Sequence, residues 1–157
     1  MRRKGVYWTE PEGSTKCHSY SARAYTAVLK DAPATLNWLE VCSGMPVTIH
    51  GRQINQPNNC ERKDVGTVVG TWLVGFNEPE CVPYWDSISD KGCAPGKPGM
   101  RRVQGRLWAL PSGDDWARMC ASTPAIFNGT YFEHPTSCEN KVISGMMGLW
   151  DYPDESC

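Results

Sequence analysis

The chain has no apolar run long enough to cross a bilayer, and it has almost no excess of charge of either sign. Its 16 Lys and Arg residues and 17 Asp and Glu residues leave a net charge of −1 at pH 7. This balance provides no long-range attraction to nucleic acid or to an anionic membrane surface. We therefore expect no nucleic-acid partner and no insertion into a membrane.

Common catalytic and metal-binding motifs are also lacking. The chain has only three histidines, His18, His50 and His134, and contains neither an HExxH pattern nor the Gly-x-Ser-x-Gly turn of serine hydrolases. The cysteines form no CxxC pair, so the usual zinc sites are not expected. The sequence favours a non-enzymatic protein without a cofactor or a metal.

The acidic residues are interpreted as structural. Asp114 and Asp115 precede a short predicted helix, where carboxylates cap free N–H groups and interact favourably with the helix dipole. Glu61 and Glu139 each follow a cysteine and precede a lysine by two residues, which indicates a turn with an ion pair. The acidic residues near the C-terminus are interpreted as a solvated tail: Asp151, Asp154 and Glu155.

The strongest feature that is present is the set of eight cysteines. An even number in a chain of 157 residues is typical of four disulfides formed in an oxidising compartment. The sequon at Asn128 is compatible with N-glycosylation of a secreted protein. The cysteines therefore predict a secreted, extracellular protein. The basic segment 1–4 is not followed by an apolar segment, so we interpret the chain as a mature or recombinant form and leave these residues out of the fold prediction.

The chain also contains an internal repeat. When the sequence is shifted by 78 positions, residues 38–72 align with 116–150 without a gap and share ten identities in 35 positions. The identical pairs are Trp38/Trp116, Cys42/Cys120, Pro46/Pro124, Gly51/Gly129, Pro57/Pro135, Cys60/Cys138, Glu61/Glu139, Lys63/Lys141, Gly70/Gly148 and Trp72/Trp150. We interpret the repeat as a tandem duplication, with one unit at 5–81 and a second at 82–157. The expected arrangement is a monomer in which the units pack as one pseudo-two-fold domain.

The repeat limits the possible disulfide pairings. If both units pair internally and in the same way, three patterns remain. The favoured pairs are Cys17–Cys81 and Cys42–Cys60 in the first unit, and Cys93–Cys157 and Cys120–Cys138 in the second. Exchange of cysteines between the two halves stays open.

Each unit is predicted to be α+β, with a small antiparallel sheet and one short helix. Segments 19–29, 66–76 and 100–110 are rich in β-formers or alternate in polarity, which predicts strands. In the last of these, the residues predicted to share one face are Val103, Gly105, Leu107 and Ala109. The pairs His50-Gly51 and Asn128-Gly129 predict turns between short hairpin strands.

The helix of the second unit is predicted from its apolar spacing. Trp116, Met119 and Cys120 lie on one helical face, and the helix is expected to end near Ser122 because a proline follows at 124. Ser112 or Asp114 is the predicted N-cap.

The best candidate for a binding surface is the polar face of the predicted strand 100–110. It consists of Arg102, Gln104, Arg106 and Trp108. Trp108 aligns with Lys30, so the repeated fold does not require tryptophan there. An indole ring suits the C–H face of a sugar, while arginine and glutamine donate hydrogen bonds to hydroxyls or a carboxylate. The alternative is an ordinary solvated face, or one that pairs with the other half.

The other aromatic residues divide into two groups. Those kept in both halves are predicted to be core or packing residues: Trp8/Trp85, Trp38/Trp116 and Trp72/Trp150. Tyr131 aligns with Gln53 and Tyr152 aligns with Val74, so both are free of that requirement. They are second-rank candidates for ligand binding.

A series of motifs covers most of the chain. It comprises Arg23-Ala24-Tyr25-Thr26-Ala27-Val28-Leu29, Trp38 to Cys42 and Pro46, Gly51, Pro57 to Cys60, and Gly70 to Trp72. This pattern resembles a group of small secreted, cysteine-rich proteins of mushroom-forming fungi, and it is similar to a mushroom glycan-binding lectin. The resemblance implies an α+β fold and recognition of glycans, such as fucosylated or N-acetylated ends, without enzymatic activity. It identifies no binding residue.

Three functions are carried forward as hypotheses. The first is a secreted, non-enzymatic carbohydrate-binding protein whose partner is a glycan or glycoprotein. The second is a secreted effector or inhibitor that binds a protein through an exposed patch or loop. The third is a small secreted hydrolase, for which Glu61, Glu139 or His134 would be the catalytic candidates.

Overall fold

The computed structural model describes residues 5–33, 35–64, 66–111, 113–141, 143 and 145–157. The chain divides into two compact units. The first comprises Met1–Thr15 and Ala22–Glu78, and the second comprises Lys16–Ser21 and Pro79–Cys157. The sequence placed the boundary between 81 and 82, and it did not anticipate that Lys16–Ser21 lies with the second unit.

The first unit contains a five-stranded antiparallel sheet, one helix and a short hairpin. Its elements are β1 (Tyr7–Trp8), β2 (Glu12–Gly13), β3 (Arg23–Lys30), α1 (Trp38–Gly44), β4 (Val47–Ile49), β5 (Arg52–Ile54), β6 (Asn59–Asp64) and β7 (Thr67–Val74). The sheet has the order β1-β3-β7-β6, with β2 also paired to β3, and β4 pairs with β5. Strand β3 begins later than the predicted segment 19–29, because that segment starts in the other unit.

The second unit contains the same kinds of element. After the segment Lys16–Ser21, its elements are a 3₁₀ turn at Pro79–Cys81, β8 (Tyr84–Cys93), β9 (Met100–Trp108), α2 (Trp116–Ser122), β10 (Ala125–Phe127), β11 (Thr130–Phe132), β12 (Ser137–Lys141) and β13 (Gly145–Pro153). Its four-stranded antiparallel sheet has the order β12-β13-β9-β8, and β10 pairs with β11.

The fold is dominated by β-sheet, so the predicted α+β class overstates its helical content. The two α-helices have only seven residues each. The sequence pattern did not indicate strands β6, β8 and β12, and these strands give the fold more sheet than was predicted. Glu61 and Glu139 lie in β6 and β12 and not in turns, although Glu139 does approach Lys141 at 3.9 Å. Within the described residues, no helix is long and apolar enough to cross a membrane.

Both helices are capped by a side chain at the position before the first helical residue. Asn37 accepts hydrogen bonds from the backbone N–H groups of Leu39 and Glu40 at the start of α1. Asp115 accepts one from the N–H of Arg118 at the start of α2. The predicted cap at Asp114 was therefore wrong by one residue, and Ser112 lies outside the described residues. Helix α2 does end at Ser122, as predicted.

The two short hairpins have the predicted turns. His50 and Gly51 have φ values of 54° and 73°, and Asn128 and Gly129 have 50° and 76°. Two successive positive φ values are typical of a type I′ turn, which matches the twist of the flanking strands. Asn128 is exposed at its turn. Its glycosylation stays a prediction.

Four disulfides are present, and they are the pairs that the repeat favoured. Cys17–Cys81 and Cys93–Cys157 each span 64 positions, and Cys42–Cys60 and Cys120–Cys138 each span 18. Disulfides of this density are typical of small proteins from oxidising compartments. Three of the four lie within the second unit, because Cys17 belongs to the segment that joins it.

A pair of tryptophans packs edge to face in each unit, as expected for aromatic residues kept in both halves. Trp8 and Trp72 have ring centroids 4.8 Å apart, and Trp85 and Trp150 have centroids 4.6 Å apart. Trp72 and Trp150 have no exposed surface. A glycine makes room for each pair, since a Cβ on Gly148 would lie 2.6 Å from the ring of Trp85. Gly70 has the corresponding place beside Trp8 and Trp72.

Candidate functional site

The candidate site lies on strand β9 in the middle of the second sheet. Val103, Gly105 and Leu107 are buried on one face of this strand, as the alternation predicted. The predicted binding residues Arg102, Gln104, Arg106 and Trp108 are half-buried on the other face. Ala109 is an exception to the predicted pattern. It is exposed and has a φ of 70°, because the strand has already ended at Trp108.

Arg102 is engaged by a buried carboxylate. Its Nε and Nη2 donate hydrogen bonds of 2.7 and 3.0 Å to Asp151, the Cα partner of Arg102 on β13. Lys97 donates a third hydrogen bond to the same carboxylate at 2.6 Å. The side chain of Asp151 is only 1% exposed, so this part of the C-terminal segment is not the solvated tail expected from the sequence. Arg102 therefore supports the sheet, and the Asp151 carboxylate occupies its Nε and Nη2 and balances its charge.

The charges at this end of the sheet hold each other in their ionised forms. The hydrogen bonds from Arg102 have the largest effect on the pKa of Asp151 and lower it. Burial opposes them, Lys97 adds to them, and the resulting pKa is about 2. The hydrogen bond to Asp151 raises the pKa of Arg102. Asp154, a further residue of the expected acidic tail, forms an ion pair of 3.2 Å with Arg101.

Arg106 and Trp108 form the other end of this face. The guanidinium carbon of Arg106 lies over the Trp108 ring, 4.1 Å from its centroid, which is a cation–π contact. Both residues line an open cleft of about 300 Å³. The other residues that line the cleft are Leu107, Trp116, Asn140, Gly145 and Met146. The cleft thus combines two indole rings, a guanidinium and a carboxamide, which together suit a ligand with both apolar and polar edges.

Gly145 allows Arg106 to take this position. The residue has a φ of 90°, and a Cβ built on it would lie 2.9 Å from Nε of Arg106. A side chain at 145 would therefore both strain the backbone and displace the guanidinium. The equivalent position of the first half, at the shift of 78, is Thr67.

Trp108 has an unused hydrogen-bond donor. Its Nε1 is buried and has no hydrogen-bond partner among the described residues. The same holds for Nε1 of the core residues Trp72 and Trp150, so this feature does not by itself distinguish the cleft. The guanidinium of Arg106 lies over one face of the Trp108 ring, so recognition in this cleft depends on the arginine as well as on the ring.

The remaining predicted binding residues are distributed over the second unit. Gln104 is on the same face as Arg106, two residues away on β9. Tyr152 pairs with Arg101, which lies seven residues or roughly 23 Å along the strand from Trp108. Tyr131 is 61% exposed on hairpin β10–β11, where it pairs with Ile126, which is 69% exposed. Only Arg106 and Trp108 line the cleft described above.

A polar network in the first unit was missed by the sequence argument. Glu78 is buried, and it accepts hydrogen bonds from Arg23 Nε at 2.8 Å and from Tyr25 Oη and His50 Nε2 at 2.5 Å each. Burial tends to raise the pKa of Glu78, but these hydrogen bonds outweigh it and lower the pKa. Burial and the hydrogen bond to Glu78 raise the pKa of Tyr25 to about 12. The sequence did contain one indication that His50 has a role of its own. It aligns with Asn128, so the repeated fold does not require histidine there.

This network joins hairpin β4–β5 to strand β3. The hydrogen bonds of Tyr25 and His50 are directed at each other and at the Glu78 carboxylate. None of the clefts described in this unit is lined by Glu78 or His50. We therefore interpret it as a structural clamp. The first unit has two described clefts elsewhere. One, of about 510 Å³, is lined by Tyr7, Glu10, Pro46 and Gln53, and the other, of about 540 Å³, is lined by Glu10, Glu12 and Lys63 among others.

Among the described residues, no group of three or more His, Cys, Asp or Glu side chains is placed to hold a metal ion. Comparisons of the chain with protein-family models, with curated proteins and with solved structures found no match.

Proposed function

We propose that the protein is a secreted, non-enzymatic carbohydrate-binding protein whose ligand occupies the cleft at Arg106 and Trp108. The observation that carries the proposal is the contact of the Arg106 guanidinium with the Trp108 ring at 4.1 Å in an open cleft. Indole surfaces contact the C–H groups of a sugar ring, and a fixed guanidinium and a carboxamide bind its polar substituents. The resemblance to small secreted fungal proteins that include a lectin agrees with this function.

We also infer that the two units arose by tandem duplication and that only the second has kept or acquired this site. The helices start at Trp38 and Trp116, 78 positions apart, and the disulfides repeat their spacings of 18 and 64. At the positions equivalent to Arg106, Trp108 and Gly145, the first half has Val28, Lys30 and Thr67. A guanidinium–indole pair cannot form from those residues.

The first experiment is a broad glycan array with the disulfide-intact protein, followed by the same array with Trp108→Ala. Binding to glycans that share one terminal sugar, weakened at least about tenfold by the substitution, is the expected result. Lys30→Ala is the matched control, because it changes the aligned position of the other half and should leave binding unchanged. Near-UV circular dichroism would show that each variant is folded. A blank array, or equal binding by Trp108→Ala, would refute the proposed site.

A second candidate function is binding to a protein partner, and it is favoured by the exposed hairpin β10–β11. Ile126 and Tyr131 are cross-strand partners that both leave most of their side chains in solvent. Tyrosine is enriched at protein interfaces and at their energetic hot spots, and the neighbouring Ile126 adds exposed apolar surface. If this function is correct, Tyr131→Ala should abolish capture of a stoichiometric protein partner, while Trp108→Ala should not.

A further inference from the structure

The charge of Arg106 is uncompensated, unlike that of its neighbours on the same sheet. Arg101 and Arg102 each form ion pairs with aspartates, whereas no carboxylate among the described residues lies within ion-pair distance of Arg106. Its Cα partner on β8 is Asp86, whose carboxylate accepts the backbone N–H of Ser87 at 2.8 Å and is not within ion-pair distance of Arg106. Arg106 is thus a cation without a counter-ion at the edge of a cleft.

The position of the guanidinium is constrained before any ligand arrives. It packs over the Trp108 ring on one side and beside Gly145, where a Cβ would lie 2.9 Å from its Nε. An arginine whose side chain is already ordered loses less conformational entropy when it forms hydrogen bonds. A guanidinium also presents parallel N–H groups, which match the two oxygens of a carboxylate.

The other residues that line the cleft add no negative charge. Among those described, Trp108, Trp116 and Asn140 provide indole surface and a carboxamide, and none of the lining residues is acidic. The two described clefts of the first unit are different, because Glu10 lines both, and Lys63 in one of them is accompanied by Glu12 as well. An anionic group is therefore favoured in the cleft of the second unit over those of the first.

We propose that the cleft at Arg106 selects sugars that carry a carboxylate, such as a uronic or a sialic acid. The carboxylate accepts hydrogen bonds from the guanidinium of Arg106, and the apolar part of the sugar ring contacts the indole side chains. This inference rests on the proposed carbohydrate-binding function and adds to it the chemical class of the ligand. A neutral sugar would leave the guanidinium without a counter-ion after water has been displaced from it, which is unfavourable.

The test uses two pairs of sugars that differ in their carboxylate. The first pair is methyl β-glucuronide and methyl β-glucoside, and the second is sialyllactose and lactose. Binding of the full-length, disulfide-intact protein is measured by calorimetry at low and at high NaCl. We expect at least one acidic sugar to bind about tenfold or more tightly than its neutral partner, and we expect salt to reduce that difference. The pair with the larger difference distinguishes a uronate from a sialate ligand.

Two variants identify the group responsible. Arg106→Gln should remove the preference for the acidic sugar, whereas Arg106→Lys should retain part of it because the charge remains but the parallel N–H groups are lost. Arg102→Gln is a comparison on the same strand. Its charge is balanced by the Asp151 carboxylate, so the preference should persist, and near-UV circular dichroism would show that the variant is folded.

The outcomes separate this inference from the function on which it rests. Equal binding of the two members in both pairs, or array binding confined to neutral glycans through Trp108, would overturn the carboxylate inference and leave carbohydrate binding intact. An acidic preference that survives in Arg106→Gln would also overturn it. A blank array together with no binding of any of the four sugars would refute both.

Discussion

The buried carboxylate of Asp151 should make the stability of the second unit depend on pH. Arg102 and Lys97 donate three hydrogen bonds of 2.6–3.0 Å to it, and its side chain is 1% exposed. These contacts lower its pKa from 3.8 to about 2. A carboxyl whose pKa is lower in the folded chain than in the unfolded chain stabilises the fold when it is ionised.

The size of this contribution follows from the pKa change. Each pKa unit corresponds to about 1.4 kcal/mol, so a fall from 3.8 to about 2 contributes roughly 2 kcal/mol. The stabilisation is fully present above about pH 5 and is lost as the pH falls through the pKa of the folded protein, about 2. Asp151→Asn should therefore lower the free energy of unfolding by about 2 kcal/mol or more at pH 7, because Arg102 and Lys97 lose their counter-ion. The difference from the wild type should shrink as the pH approaches 2.

The assay is urea unfolding of both proteins with disulfides intact, at several pH values between 7 and 2. Hydrogen exchange of the β13 amides would assign the change to the second unit. Glu155→Gln is the control, since Glu155 is exposed and has no ion pair within the described part of the chain. If the effect of Asp151→Asn were the same at pH 7 and pH 2, the substitution would be acting through packing, and the electrostatic argument would be refuted.

Two further predictions concern close packing and the buried network. Gly148→Ala should destabilise the second unit by about 1–3 kcal/mol in urea unfolding, because the new Cβ would lie 2.6 Å from the Trp85 ring. Gly75→Ala is the control and should change the stability little, since no atom lies within 4 Å of its Cβ. Equal effects of the two substitutions would contradict this. In Glu78→Gln, the pKa of Tyr25, about 12 in the wild type, should fall in an ultraviolet titration because the carboxylate that disfavours the phenolate is removed. A Tyr25 pKa that stays at about 12 would show that burial alone raises it.

The features that could be predicted from the sequence are those set by local chemistry. His50-Gly51 and Asn128-Gly129 adopt positive φ values because such pairs tolerate them, and the hairpins follow. The end of α2 at Ser122 reflects the proline that comes two residues later. The repeat reduced the disulfide problem to three patterns, and the spacing of 18 shared by Cys42–Cys60 and Cys120–Cys138 favoured the pattern that the structure has.

The strands that were missed have sequences without an alternating pattern. Strand β6 reads NCERKD and β12 reads SCENK, and both lie at the edges of their sheets. Their side chains are largely exposed, so hydrophobic periodicity carries little information about them. They are strands because their backbone groups pair with β7 and β13, which is a long-range property that no local pattern records. The same reason explains why the fold has more sheet than the α+β prediction implied.

The candidate site shows where the two kinds of information divide. The sequence alone determined that Arg102, Arg106 and Trp108 would share a face, because side chains alternate along a strand regardless of what surrounds it. Only the tertiary structure decided which of the arginines remains available. Pairing of β9 with β13 places Asp151 opposite Arg102, and it places Gly145 beside Arg106. These contacts join residues about 40–50 positions apart, so their energies depend on the packing of the whole sheet, and the charge pattern of one strand could not reveal them.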